Sequence, residues 1–161
     1  MAEVLTHTFP TADMRYENVV TKTAIGVTQP DFHFVFPDNP INVLLEVTTS
    51  KLCRHDEKRE QRRVLRRWEQ ENPEFRWMIL YLQHMASPKI VHTALNHLKF
   101  LAEGACSMEI QREMDNLAVS ISPPTSIRWN RVYRHLTGEV YPHNDGADVI
   151  WTPKHTMALV Q

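Results

Sequence analysis

Two acidic residues, Asp31 and Glu46, lie in neighbouring segments that the sequence predicts to pair as a β-hairpin. Segments 29–36 and 41–51 are rich in aromatic and β-branched residues, and the sequence Pro-Asp-Asn-Pro at 37–40 between them favours a turn. A two-residue loop in the middle of this turn places Asp31 opposite Glu46, with Cβ atoms roughly 4.5–5.5 Å apart. Two carboxylates this close are stabilised by a divalent metal ion between them, and such pairs are typical of phosphodiester cleavage.

The same register decides which hairpin residues face the core. Side chains alternate along a strand, so a slip of one residue would turn both acids to the opposite face. His33, Leu44 and Thr48 share the face of the acids, and His33 could serve there as a supporting hydrogen-bond partner or a base. The predicted core face consists of Phe32, Phe34, Phe36, Ile41, Val43, Leu45 and Val47.

The segments around the hairpin predict a mixed sheet flanked by helices. A charged segment with an apolar stripe predicts a helix over 55–71, and the nearly all-apolar run 76–82 predicts a central strand. A strand–helix–strand crossover of this length implies parallel pairing within the sheet. The other predicted elements are irregular chain over 1–12, a short helix over 13–23, a strand over 25–27, and helices over 89–102 and 107–118.

The C-terminal part of the chain has a different pattern. Two prolines at 123–124 interrupt it, and a helical pattern follows over 126–136. Segments 139–141 and 148–151 then flank the sequence His-Asn-Asp-Gly, which favours a hairpin turn. Helices followed by a small hairpin predict a winged-helix-like region.

Length and composition suit one compact unit with a small appendage. The chain has 161 residues, of which 42% are hydrophobic, and a net charge of −1. A polyanion such as DNA must therefore be met by a local basic patch. We expect an α/β domain over 1–104 and a small helical or winged-helix-like region over 105–161.

Processing and membrane signals are lacking in the sequence. Two cysteines provide no disulfide framework, and the first residues do not form a signal peptide. No segment approaches the ~20 apolar residues that a membrane-spanning helix needs. We therefore expect a cytoplasmic protein that has no membrane partner.

These features resemble the PD-(D/E)xK nuclease superfamily, whose members share the restriction-endonuclease fold. The matching residues are Pro30-Asp31 and, at the end of the next strand, Glu46-Val47-Thr48. Within the superfamily the chain is most similar to TnsA, the endonuclease subunit of heteromeric cut-and-paste transposases. The resemblance implies a restriction-endonuclease-like mixed β-sheet. It also implies an Mg²⁺- or Mn²⁺-dependent DNA endonuclease that cuts at transposon ends, beside a transposase and an ATPase regulator.

The resemblance further assigns the metal ligands and the lysine of the family pattern. Asp31, Glu46 and the main-chain carbonyl of Val47 would bind the metal ion. Glu17, expected on the first helix, would be a third acid.

The lysine of the family pattern falls on Thr48, which can donate a hydrogen bond but carries no charge. Lys51, three residues later, or Lys58, on the following helix, could supply the missing charge. The same helix carries arginines that could bind phosphates, namely Arg59, Arg62, Arg63, Arg66 and Arg67.

Simpler interpretations of these features remain open. The two acids could be exposed strand residues paired with arginines, and a helix of mixed charge is commonly a solvated face. With threonine in the lysine position, the chain could be a catalytically inactive nuclease-fold module that binds nucleic acid or supports assembly of a mobile-element or phage complex. A third interpretation is an unrelated α/β structural subunit whose hairpin mimics the motif.

Overall fold

A four-stranded mixed sheet forms the centre of the part of the chain that the structure describes. The computed structural model describes residues 1–52 and 56–122, and beyond them the strands at 127–128, 148–152 and 155–160. The helices are α1 (Ala2–Thr8), α2 (Asp56–Glu71), α3 (Pro88–Ala102) and α4 (Ser107–Ala118). The strands are β1 (Asp13–Tyr16), β2 (Thr21–Thr23), β3 (Gly26–Thr28), β4 (Phe32–Val35), β5 (Asn42–Val47), β6 (Phe75–Leu80), β7 (Ile127–Arg128), β8 (Asp148–Thr152) and β9 (His155–Val160).

The main sheet has the strand order β1-β4-β5-β6. Strand β4 pairs antiparallel with both β1 and β5, whereas β5 pairs parallel with β6. Helix α2 makes the crossover between β5 and β6, so the parallel pairing predicted for this strand–helix–strand unit is confirmed. The chain is therefore a mixed α/β structure with helices on its sheet.

The predicted register of the β4–β5 hairpin is confirmed. Phe32 pairs with Leu45, and Phe34 pairs with Val43. The predicted core face is confirmed as well, because all four of these side chains belong to the larger hydrophobic cluster. Helices α1 and α3 cover this face of the sheet, with Leu5 and other apolar side chains packed into the same cluster.

The opposite face of the sheet carries a second, smaller hydrophobic cluster beneath α2. Leu44 of β5 and Trp77 of β6 pack there against Leu65 of the helix. Because α2 covers this face, polar side chains of β5 that point to it are removed from bulk water. Glu46 and Thr48 are accordingly buried.

Strand β6 was predicted to be central, but it is the last strand of the sheet. Its outer edge is covered by side chains instead of by another strand. The Trp77 N–H donates to Ser107 Oγ at 3.0 Å, and the Ile79 N–H donates to Gln111 Oε1 at 2.8 Å. The Gln111 Nε2 group donates in turn to the carbonyl of Ile79 at 2.9 Å. This coverage explains why an edge strand has the apolar sequence of an internal one.

Helix α4 therefore packs with the elements that precede it. Its bounds, Ser107–Ala118, are those predicted, and Met114 lies fully buried in the larger cluster. The domain boundary expected at residue 104 would separate this helix from the β6 edge that it covers.

The N-terminal predictions need correction. Residues 2–8 form α1, where irregular chain was expected, and 13–23 form β1 and β2 in place of a short helix. β-branched residues at 19–21 are poor helix formers, and pairing with β4 satisfies the main chain of β1 instead. Strands β2 and β3 form a hairpin packed on α2. A Cβ atom at Gly26 would lie 2.8 Å from Val64 Cγ2, so this close approach requires glycine.

The C-terminal strands form a separate three-stranded sheet, β7-β8-β9. Ile127–Arg128 is a strand paired with β8, so the helix predicted to begin at 126 is wrong at its start. Strand β8 also pairs with β9. The rest of the predicted helix and the segment 139–141 lie outside the described residues. Among the helices of the described part, none is long and apolar enough to cross a membrane.

The role of Gln111 at the β6 edge can be tested by removing its amide. Replacement Gln111→Leu leaves the buried N–H and C=O of Ile79 without partners, and each unsatisfied group costs about 1–3 kcal/mol. We expect the free energy of unfolding to fall by about 2–4 kcal/mol in urea denaturation.

The matched control is Gln70→Leu on the exposed face of α2, which should change the unfolding free energy by less than about 0.5 kcal/mol. Equal losses in the two variants would show that Gln111 does not serve the sheet edge.

Candidate active site

The two predicted acids lie side by side at one end of the main sheet. Asp31 immediately precedes β4, and Glu46 is the second-last residue of β5. The pairing of Phe32 with Leu45 continues to this point, because the Val47 N–H donates to Asp31 Oδ2 at 2.8 Å. The Asp31 carboxylate thus provides the hydrogen-bond acceptor for β5 at the point where the main-chain pairing of β4 and β5 ends.

Glu46 is the more deeply buried of the two acids, with 8% of its surface exposed. Its Oε1 atom lies 2.9 Å from Lys58 Nζ, in an ion pair between β5 and the first turns of α2. Its Oε2 atom is buried and has no hydrogen-bond donor within the described part of the chain. Gln61 Oε1, one turn further along α2, is a second buried oxygen of this kind. Buried acceptors without donors are unusual in proteins and suit contact with a cation or an ordered water molecule.

Asp31 is held in an environment that disfavours its charge. Burial is the largest influence and raises the pKa of Asp31 from 3.8 to about 6. The N–H of Val47 acts against this rise in pKa, whereas the charge of Glu46 adds to it. The ammonium group of Lys58 again lowers the pKa of Asp31, and Glu17 raises it slightly. Two acids and one lysine therefore act on one another at this end of the sheet.

Glu17 does not lie on a helix, which corrects the prediction. It occupies the turn after β1 with a φ of 46°, in the left-handed region that is uncommon for residues other than glycine. Its N–H donates to the main-chain carbonyl of Asp31 at 2.9 Å, so the turn is fixed to the strand that carries the acid. The described residues contain no group of three or more His, Cys, Asp and Glu side chains placed to hold a metal ion together. Glu17 contributes charge to the site but does not complete such a group.

The structure distinguishes between the two lysines expected near the site. Thr48, at the lysine position of the family pattern, is buried, and its Oγ1 accepts a hydrogen bond from the N–H of Ser50 at 3.1 Å. Lys51 is exposed in the loop after β5. Lys58 is the lysine that contacts an acid of the pair. The positive charge of the site thus comes from the helix and not from the strand.

His33 is held by two asparagine side chains and does not contact either acid in the hydrogen bonds that the structure describes. Its Nδ1 lies 3.2 Å from Asn18 Nδ2, and its Nε2 lies 2.8 Å from Asn42 Oδ1. Both ring nitrogens of His33 therefore have an asparagine side chain as partner. Asn42 begins β5, so the ring is directed away from the end that carries Glu46.

The five arginines of α2 separate into two groups. Arg62 is directed inward, where its Nη2 lies 2.8 Å from Asp115 Oδ2 and its Nε donates to the Tyr81 hydroxyl at 2.9 Å. The other four are exposed, and two of them pair with glutamates of the same helix. These exposed arginines are Arg59, Arg63, Arg66 and Arg67.

Sequence reasoning missed Tyr16 and the partners of Arg62. The charge of Glu17 is the main reason that the pKa of Tyr16 is raised, followed by burial, with Asp31 and Glu46 contributing. Tyr16 pairs with Phe32, the residue after Asp31, and is 64% exposed. An aromatic residue next to a predicted acid was a usable signal for this position. Asp115, in contrast, meets Arg62 only through the docking of α4, which no local pattern reveals.

The raised pKa of Asp31 has a consequence for pH dependence. Because the pKa is about 6 in the folded chain and the ordinary value is 3.8, the folded state keeps a proton that the unfolded state releases between these values. Stability should therefore fall as pH rises from about 4 to 6, and Asp31→Asn should remove this fall. Carbon-13 NMR titration of labelled aspartate carboxyls, together with urea denaturation at each pH, measures both effects.

The contributions of neighbouring charges to the pKa of Asp31 are tested with charge variants. Glu46→Gln should lower the pKa of Asp31, Lys58→Met should raise it, and Glu103→Gln at the end of α3 should leave it unchanged. If the pKa of Asp31 is the same in Glu46→Gln, Lys58→Met and the wild type, the three groups do not interact.

No family model, no curated protein and no solved structure matches this chain. What it does must be inferred from the side chains of the site.

Proposed function

We propose that the chain is a divalent-metal-dependent DNA endonuclease of the PD-(D/E)xK type. The observation that carries the proposal is the contact of 2.9 Å between Lys58 Nζ and Glu46 Oε1, beside the Asp31 carboxylate. An acid pair with one lysine is the set of charges that the family pattern requires. Lys58 supplies from α2 the charge that Thr48 lacks.

The residues present fit an Mg²⁺ or Mn²⁺ ion. Asp31 and Glu46 are adjacent hard oxygen donors, and one oxygen of Glu46 is buried without a partner among the described residues. The carbonyl of a strand residue leaves the same edge as its N–H, so the carbonyl of Val47 is expected on the Asp31 side. These three groups would hold the ion. When bound, it would offset the negative charge that develops on the phosphodiester.

Lys58 has a distinct role beside the acids. Its ammonium group offsets the negative charge of Glu46 in a buried place, through the ion pair of 2.9 Å. The same ammonium can donate to a water molecule or a phosphate oxygen, which places positive charge where the transition state gains negative charge. A methionine of similar length would fill the space without either effect.

The exposed arginines of α2 supply the proposed DNA contacts. Arg59, Arg63, Arg66 and Arg67 lie on the solvent side of the helix whose first turns carry Lys58. Phosphate contacts by arginine are frequently bidentate and position the backbone without reading its sequence. We propose by resemblance to TnsA that the substrate is a transposon end and that a transposase and an ATPase regulator act with this chain.

A catalytically inactive module is the second candidate. Both acids already have a partner without a metal ion. Glu46 pairs with Lys58, and Asp31 accepts a hydrogen bond from the N–H of Val47. A site that is neutralised in this way can persist as a structural remnant. The chain would then bind nucleic acid or its assembly partners without cleavage.

A nicking assay on supercoiled plasmid with Mg²⁺ or Mn²⁺ separates these candidates. We expect Asp31→Asn and Glu46→Gln to reduce nicking at least about 10²-fold, because each removes a carboxylate that would hold the metal ion. Lys58→Met should also lose about 10²-fold or more.

Lys51→Met is the matched control, since Lys51 is exposed in the neighbouring loop, and it should retain wild-type activity. The assay should be run with the purified chain and with the candidate transposase and regulator added. Plasmid binding without nicking under all of these conditions would favour the inactive module.

Metal binding can be measured without any cleavage. Mn²⁺ should bind the wild type, broaden NMR signals near Asp31 and Glu46, and raise the midpoint of thermal unfolding. Because the metal binds the ionised carboxylates, Mn²⁺ affinity should increase as pH rises through about 6. Affinity that survives in the double variant Asp31→Asn/Glu46→Gln would exclude this pair as the metal site.

A further inference from the structure

Arg62 makes the most extensive polar contacts of any α2 side chain that the structure describes. Its Nε donates to the Tyr81 hydroxyl at 2.9 Å, and its Nη2 donates to Asp115 Oδ2 at 2.8 Å. The guanidinium carbon also lies 5.0 Å from the centre of the Tyr81 ring. Only 18% of the Arg62 side chain is exposed. The residue is therefore fixed at the helix–sheet interface and not presented to solvent.

The partners of Arg62 are themselves fixed. Tyr81 directly follows β6 and is fully buried. Asp115 accepts a second hydrogen bond from Gln111 Nε2 at 3.0 Å, and Gln111 holds the N–H and the carbonyl of Ile79. A continuous set of hydrogen bonds thus runs from α2 through α4 to the main chain of β6.

Charge balance within this group supports an interior role for Arg62. Burial acts to lower the pKa of Arg62, but Asp115 and Tyr81 outweigh it, so the net pKa is raised and the guanidinium stays charged. His84 lies near the same carboxylate, with Nε2 at 3.6 Å from Asp115 Oδ1, but burial lowers the pKa of His84 and keeps its ring neutral. Arg62 is therefore the cation that compensates Asp115.

Arg62 and Lys58 are four residues apart, so they project from the same face of α2 in successive turns. Lys58 reaches Glu46 on β5, and Arg62 reaches Tyr81 at the end of β6. A helix held at only one of these points could rotate or slide along the sheet. Two polar contacts in adjacent turns define both its rotation and its height.

We infer that Arg62 is a positioning residue that holds α2 so that Lys58 meets Glu46, and that it is not a DNA contact. Its effect on cleavage rests on the proposed function, whereas its effect on the placement of Lys58 does not. The residue acts through α2 and touches neither of the two acids in the contacts described above.

The placement of Lys58 can be measured by the rate at which its amine is acetylated, followed by mass spectrometry. Exposed Lys51 in the same chain is the internal reference. We expect Arg62→Lys, Tyr81→Phe and Asp115→Asn each to raise the labelling of Lys58 relative to Lys51 by about fivefold, because a loosened α2 exposes the ion pair. Arg66→Lys, an exposed position on the same helix, is the matched control and should leave the ratio unchanged.

The salt dependence of DNA affinity tests the alternative, in which Arg62 contacts a phosphate. Loss of one phosphate contact reduces the slope of log affinity against log salt by about 0.9. Arg62→Met, which removes the positive charge, should leave this slope unchanged, since Tyr81 and Asp115 engage Arg62 in the interior. If cleavage is observed, the three interior variants should lower kcat with little change in KM, as expected for misplacement of a catalytic group.

Unchanged Lys58 labelling in all three interior variants, with each shown to be folded by circular dichroism, would overturn the inference. A salt slope reduced by about 0.9 in Arg62→Met would overturn it as well, in favour of a phosphate contact. Tyr81→Phe removes only the hydroxyl that accepts from Arg62. This variant keeps the test decisive if the other two variants fail to fold. A wild type that never cuts DNA removes the nuclease proposal but leaves the labelling result valid.

Discussion

The pairing register of β4 with β5 is the constraint on which the rest of the structure depends. It directs Phe32, Phe34 and Leu45 into the larger core and directs Glu46 to the face beneath α2. A shift by one residue would turn the acid toward the aromatic rings of the larger core and move those rings to the face beneath α2, at a large free-energy cost. Packing of the core and placement of the charged groups are therefore a single requirement, satisfied by one alignment of two strands.

The charged groups at the end of the sheet oppose one another within a partly dry environment. Burial and the charge of Glu46 raise the pKa of Asp31, while the N–H of Val47 and the ammonium group of Lys58 lower it. Among the described residues, the charge of Lys58 faces Asp31 and Glu46, with Glu17 nearby, which leaves a local excess of negative charge that a small hard cation would balance. The helix that covers this face thus does two things, since it removes water from the acids and supplies part of the charge that they need.

Turn residues and helical patterns made much of this fold predictable. Pro-Asp-Asn-Pro at 37–40 set the hairpin register, and the helical patterns over 89–102 and 107–118 located α3 and α4. Features that depend on contacts between distant segments were not predictable. The left-handed turn at Glu17, the edge position of β6 and the inward direction of Arg62 each arise from docking of one element on another. Choosing between Lys51 and Lys58 likewise required the position of α2, because both lysines are close to Glu46 in sequence.

The amide of Gln111 and the hydroxyl of Ser107 occupy hydrogen-bonding groups of β6 that would otherwise be open to another strand. Strand addition by a neighbouring polypeptide is thereby blocked on this side of the sheet. Strand β1 forms the other margin, and three of its four residues are exposed. Any protein that joined this sheet by β-augmentation would have to do so along β1, immediately before Glu17 and Asp31. A partner bound there would extend the sheet at the margin that leads directly into the acidic residues.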